Sequence, residues 1–107
     1  MRFDDLRDAL DSTGLPWATG DWGAEKAPGL PYMALLPGDP AWLHADNANA
    51  LKVSRWTLEV YTQGPGFETW ALVADALSAS GASFDEDCGG PAGGGAWVEY
   101  FALSTIG

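Results

Sequence analysis

The twelve residues Leu51–Thr62, LKVSRWTLEVYT, constrain this chain more than any other stretch. Trp56, Leu58 and Val60 share one parity, and Arg55, Thr57, Glu59 and Tyr61 share the other. Successive strand side chains point to opposite faces, so the alternation predicts a half-buried antiparallel strand. Leu51 and Val53 have the opposite parity from Trp56. That requires either a bulge near Ser54 or a strand whose start packs on its other face. Gln63-Gly64-Pro65-Gly66 ends the strand. Phe67–Ala79 then carries Phe67, Trp70, Ala71, Ala74 and Leu77 at helical spacing. This predicts a helix lying across the sheet, with Phe67 and Trp70 meeting the Trp56–Leu58–Val60 face.

The remaining segments read as elements around that unit. Residues 2–13 form a short helix with Phe3, Leu6, Leu10 and Thr13 on one stripe and Asp4 and Asp5 in the first turn. Gly14 and Pro16 stop it. Residues 15–29 are rich in glycine and proline and read as a loop or a short irregular strand. Trp17 and Trp22 within it either pack under the loop or serve as contact residues. Leu30–Leu36 is an apolar run suited to a buried strand, with Pro31 at its start or on an edge. Turns at Pro37–Pro40 and Asp46–Asn49 enclose a short strand at Trp42–Ala45. Ala82–Cys88 reads as a short strand and residues 89–95 as a mobile glycine tip. Trp97–Ser104 closes the chain, with Trp97, Glu99, Phe101 and Leu103 on one parity and Val98, Tyr100 and Ala102 on the other. The expected fold is a single domain over residues 1–107 of the α+β class. It is a mostly antiparallel β-sheet with two helices packed on it, in the order α-β-β-β-α-β-β.

Charge removes several function classes. Five Lys and Arg stand against fifteen Asp and Glu, a net charge of −10. Phosphate binding needs cations that displace counterions, and Lys26, Lys52 and Arg55 are too few and scattered for a nucleic-acid footprint. Cys88 is the single cysteine, so no intramolecular disulfide forms. The N-terminal MRFDDLRDAL lacks the apolar core of a signal peptide, and no apolar run approaches a membrane span of about 20 residues. The expected compartment is the cytosol or a particle assembled there.

Catalytic constellations are equally sparse. His44-Ala45-Asp46 places the one histidine near a carboxylate but offers no further metal ligands. Asp85-Glu86-Asp87 lacks the spaced oxygens and turn glycine of a calcium loop, and reads as a charged hairpin edge that blocks unwanted strand pairing. The glycine run 89–95 has no GK[ST] ending. Ser54, Ser78 and Ser104 lack a base, and a Cys88–His44 dyad has no supporting context. The expectation is a protein that is not an enzyme and uses no metal, cofactor or membrane. The alternative is a cytosolic small-ligand binding module or small enzyme, using Trp17, Trp22 and the glycine loop as a cleft.

Three motifs carry a family resemblance. Leu30-Pro31-Tyr32, then Trp42-Leu43-His44-Ala45-Asp46-Asn47, then Lys52 and Glu59-Val60-Tyr61-Thr62 follow one another in order. This order, with an amphipathic helix and a terminal hairpin after it, resembles the small tail-completion or tail-terminator proteins (minor tail proteins) of siphophages and prophages. The resemblance implies a fold like the lambda-type tail terminator, a bacteriophage virion structural protein. It implies a hexameric ring of identical subunits capping the tail tube at the head–tail joint, assembled in the cytoplasm of the bacterial host. The partners it implies are other copies of the chain, the tail tube protein and a head-completion or connector protein. The surface residues expected to make such contacts are Tyr32, Trp42, Asp46, Asn47, Arg55, Glu59 and Tyr61.

Overall fold

A computed structural model describes residues 1–20, 22, 28–38 and 53–106. The long alternating stretch becomes β3, Val53–Gln63, the central strand of a five-stranded sheet ordered β1-β2-β3-β5-β4. On one side lies β2, Tyr32–Pro37, and on the other β5, Ala96–Ile106, both antiparallel to it. The outer positions belong to β1, Trp17–Thr19, parallel to β2, and β4, Phe84–Gly93, antiparallel to β5. The helices are α1, Phe3–Ser12, and α2, Phe67–Ala79. The architecture is α+β in the order α-β-β-β-α-β-β. Its first strand is Trp17–Thr19, from the segment read as loop or irregular strand. The expected strand at Trp42–Ala45 lies outside the described residues.

Register explains how the two helices find their seat. Residues directly opposed on neighbouring strands share a face. Leu35, Leu58 and Phe101 therefore form one row across β2, β3 and β5, and Met33 and Val60 begin the next. All five are fully buried, together with Leu6 and Leu10 of α1 and Val73 and Leu77 of α2. Both helices thus cover the same face of the sheet. Alpha1 begins with the Arg2 backbone N–H donating to Asp5 Oδ2 at 3.0 Å, and its first-turn aspartates complement the helix dipole. Gly14, at φ 76°, takes the left-handed position just past the helix, where a side chain would be strained.

Of the two ways to reconcile Val53 with Trp56, the strand takes the second: Val53 pairs with Ile106 and Ser54 with Thr105 in unbroken register, without a bulge, so the strand's start lies on its other face. Two expectations are corrected. The buried stripe of α2 is Trp70, Val73 and Leu77, one notch away from the expected line. Ala71 is exposed, and Phe67 is 73% exposed, because it starts the helix immediately after Gly66 and reaches only the edge of Trp70, 5.4 Å between ring centres. The glycine run is not an irregular tip. Beta4 continues through Gly93, with register shifts between Cys88 and Gly90 and between Pro91 and Gly93, and the turn itself is Gly94–Gly95.

The stability of this layer pair rests on the α2 contact. Trp70→Ala is expected to lower unfolding free energy by about 3–5 kcal/mol, the range for removing a buried aromatic side chain. Phe67→Ala is expected to change it by less than about 1 kcal/mol, as for exposed positions. Urea titration of the two variants checks the contrast.

Candidate functional site

The sheet face turned away from the helices carries the sequence-predicted contact residues that fall among the described ones. Its register brings Tyr32, Tyr61 and Val98 into one row and Ala34, Glu59 and Tyr100 into the next. The Tyr32 and Tyr61 rings stack with centres 5.1 Å apart. Trp22 meets Tyr32 edge-on at 6.1 Å, held there by its indole N–H donating to the Met33 carbonyl at 2.8 Å. The Tyr61 hydroxyl donates to Glu59 Oε1 at 2.9 Å. Arg55 lies on this face too, opposite Ser104 of β5. Arg55 and Glu59 are both half-buried on the face away from α1 and α2, as expected for side chains outside the main core. Trp42, Asp46, Asn47 and His44 lie outside the described residues.

Local structure makes this face unusually apolar for one with no helix over it among the described residues. Val98 and Ala34 are buried on it, although no described helix contributes to their cover. Gly89 completes the cover of Val98. It is the extra residue of the β4 bulge, and a Cβ there would stand 2.6 Å from Val98 Cγ1 and 2.5 Å from the Tyr100 ring. The Tyr61 phenol is held well above its ordinary range, first by burial and then by its hydrogen bond to the Glu59 carboxylate and that group's charge. It therefore remains a neutral donor throughout the physiological range.

Residue parity carried the signal for this face. Tyr61 and Glu59 were legible from the alternation of β3. Tyr100 and Val98 were on the matching parity of β5, but pairing Glu59 with Tyr100 requires the register. Trp17 and Trp22 do not share a cleft. Trp17 is paired with Met33 and packs against the helix-side core, its indole donating to Asp11 at 2.8 Å, whereas Trp22 lies against Tyr32 on the opposite face.

A second group of interest is on the helix side. Glu99 occupies the row of Met33 and Val60, with Cys88 opposite on β4. It is 6% exposed, and its Oε1 has no hydrogen-bond partner among the described residues. Burial pushes its carboxyl up to about 7, reinforced by the hydrogen bond its protonated form donates to Glu86 and by the charges of Glu86 and Asp87, while a hydrogen bond from Cys88 works the other way. Parity alone placed a glutamate among Trp97, Phe101 and Leu103, which is the signal that finds it. Among the described residues, no group of three or more His, Cys, Asp and Glu side chains is arranged to hold a metal ion. Nor is any described helix long and apolar enough to cross a membrane.

No protein-family model and no curated protein matches this chain.

Two outcomes follow from the geometry. The folded state holds a proton on Glu99 that the unfolded chain releases nearer the ordinary 4.5, so stability falls as pH rises from there through about 7. Glu99→Gln is expected to flatten that slope and to add about 1–3 kcal/mol at alkaline pH, the range for relieving a buried charge. Denaturation midpoints across pH check it. Gly89→Ala is expected to lower stability by about 1–3 kcal/mol, because its methyl has no room against Tyr100 and Val98. Loss of near-ultraviolet tyrosine dichroism, measured alongside, reports the displaced ring.

Proposed function

We propose that this chain is a phage or prophage virion structural protein, a tail terminator or head–tail joining subunit that assembles into a ring at the end of the tail tube. The observation that carries the reading is the sheet face opposite the helices. It presents Trp22, Tyr32 and Tyr61 in successive ring contact, with Tyr100 opposite Glu59 in the next row and Arg55 further along the same face. Stacked tyrosines with charge of both signs on the same face are the composition of protein contact surfaces, where aromatic side chains and arginine are enriched. The motif order from Leu30 to Thr62 supports the same assignment by resemblance.

The occupant of this surface is a second copy of the chain. A ring is built from heterologous contacts that close, so the aromatic face of one subunit meets a different face of the next. An acidic subunit repeated around a ring also suits the head–tail joint. A net charge of −10 per copy repels the DNA backbone, so DNA passes a lumen of this character without adhering.

The reading is tested by mass photometry over a concentration series, with and without purified tail tubes. A closed oligomer, free or on tube ends, is the expected result. A chain that stays monomeric and also fails to bind tubes overturns it. Tyr61→Ala removes one half-buried stacked ring from this face and is expected to weaken assembly by about tenfold or more, as for a central aromatic contact. Its effect on folding is expected to be about 0.5–1.5 kcal/mol, the worth of an aromatic pair. Comparing oligomer fraction with urea midpoint separates the two effects.

A further inference from the structure

The two edges of the sheet are very different. Beta1 is three residues long, whereas β4 runs for ten and is exposed along nearly all of its length. An exposed edge strand presents unpaired N–H and C=O groups, and chains guard such edges with bulges, proline or charge. Beta4 divides these guards between its halves. From Gly89 onward it has both register shifts, Pro91 and two glycines at positive φ, Gly90 and Gly93. From Phe84 to Cys88 its ladder to β5 is regular, and Phe84 anchors it edge-on to Phe101 with ring centres 5.6 Å apart. Asp85, Glu86 and Asp87 are the guards on that half. Charge of this kind excludes a strand of the same sign and admits one of the opposite sign.

Glu99 supplies the independent observation. It is buried one strand inward, faces Cys88 and is hydrogen-bonded to Glu86, with Oε1 unpartnered among the described residues. Among the described residues, the groups that act on its carboxyl are Glu86, Asp87 and Cys88, with no cation among them. Among the described residues, no strand brings a pair of cations to this edge. Its basic residues are Arg2, Arg7, Lys26, Lys52 and Arg55. No two of them lie close in sequence on one strand parity, and Arg7 is engaged with Asp4 and Asp8. A second copy would bring a net charge of −10 to an edge that is already acidic.

The geometry points to the Phe84–Cys88 edge of β4 as a docking site for a basic extended segment of a different protein, added as a sixth strand with Lys or Arg side chains beside Glu86 on one face and Asp85 and Asp87 on the other. Main-chain hydrogen bonds supply the affinity in such strand addition, and alternate side chains supply the selectivity. This site is separate from the aromatic face, and it does not depend on the ring reading.

The probe is an alternating Lys–Val peptide of about eight residues, enough to span the regular half of the edge. It is titrated against the full chain, with amide hydrogen exchange read residue by residue. Binding with new protection confined to residues 84–88 is the expected result. The same peptide N-methylated at alternate residues cannot form the ladder, and is expected to bind about tenfold more weakly or worse. The variant D85N/E86Q/D87N is expected to lose affinity by a similar factor of about ten, whereas D4N/D8N on α1 is expected to keep it. Absence of binding, protection elsewhere, equal binding by the N-methylated peptide, or equal loss in the α1 variant overturns the proposal. The N-methylated comparison uses the unaltered protein, so the test stands even if an edge variant folds poorly.

Discussion

The structure depends on the register that locks β2, β3 and β5 together. Opposing Leu35, Leu58 and Phe101 creates a continuous apolar row, and Met33 and Val60 extend it. Neither helix has a stripe wide enough to be stable in water by itself, because short helices draw their stability from packing. Each gains it by burying Leu6 and Leu10, or Trp70, Val73 and Leu77, on those rows. A one-residue slip of β3 would turn every apolar side chain to the other face. The same slip would break the Tyr32–Tyr61 stack and move Glu59 away from Tyr100. One register therefore sets both the core and the outer surface.

That shared dependence explains which parts were legible in the sequence. The alternation from Arg55 to Tyr61 specified two faces without ambiguity, and Gly66 with the helical spacing after it specified α2 to the residue. Beta1 was obscure because Trp17–Thr19 is too short to show a period, and it is held by parallel pairing to β2 that no local pattern announces. Phe67 misled because it fits the helical spacing, yet it lies at the helix end where the sheet no longer reaches it. The glycine-rich half of β4 misled for another reason. Glycine has little strand preference of its own, and the long ladder of β5 imposes the conformation from outside. On the functional side, Tyr61 and Glu59 were readable from parity. The grouping of Tyr32, Tyr61, Tyr100 and Trp22 was not, because register aligns three separate strands and Trp22 joins from a fourth segment by a ring contact and an indole hydrogen bond.

The sheet thus has three surfaces with different chemistry. Its helix side is a packed core that includes one anomalous carboxyl, Glu99, pushed up to about 7 by burial and by its acidic neighbours. Its other side is aromatic and only partly covered, a composition suited to contact with another folded surface. Its β4 edge is acidic and regular over five residues, a composition suited to an extended basic segment. The anomalous carboxyl lowers stability at higher pH.

The central claim is that the tyrosine face is the surface by which copies of the chain meet. Hydroxyl-radical footprinting of isolated and assembled protein reads this directly, tyrosine by tyrosine. The account predicts that Tyr32, Tyr61 and Tyr100 lose reactivity together on assembly, while the exposed Phe67 on the helix side keeps its own. Assembled protein in which these three tyrosines remain as reactive as in the isolated chain would contradict it.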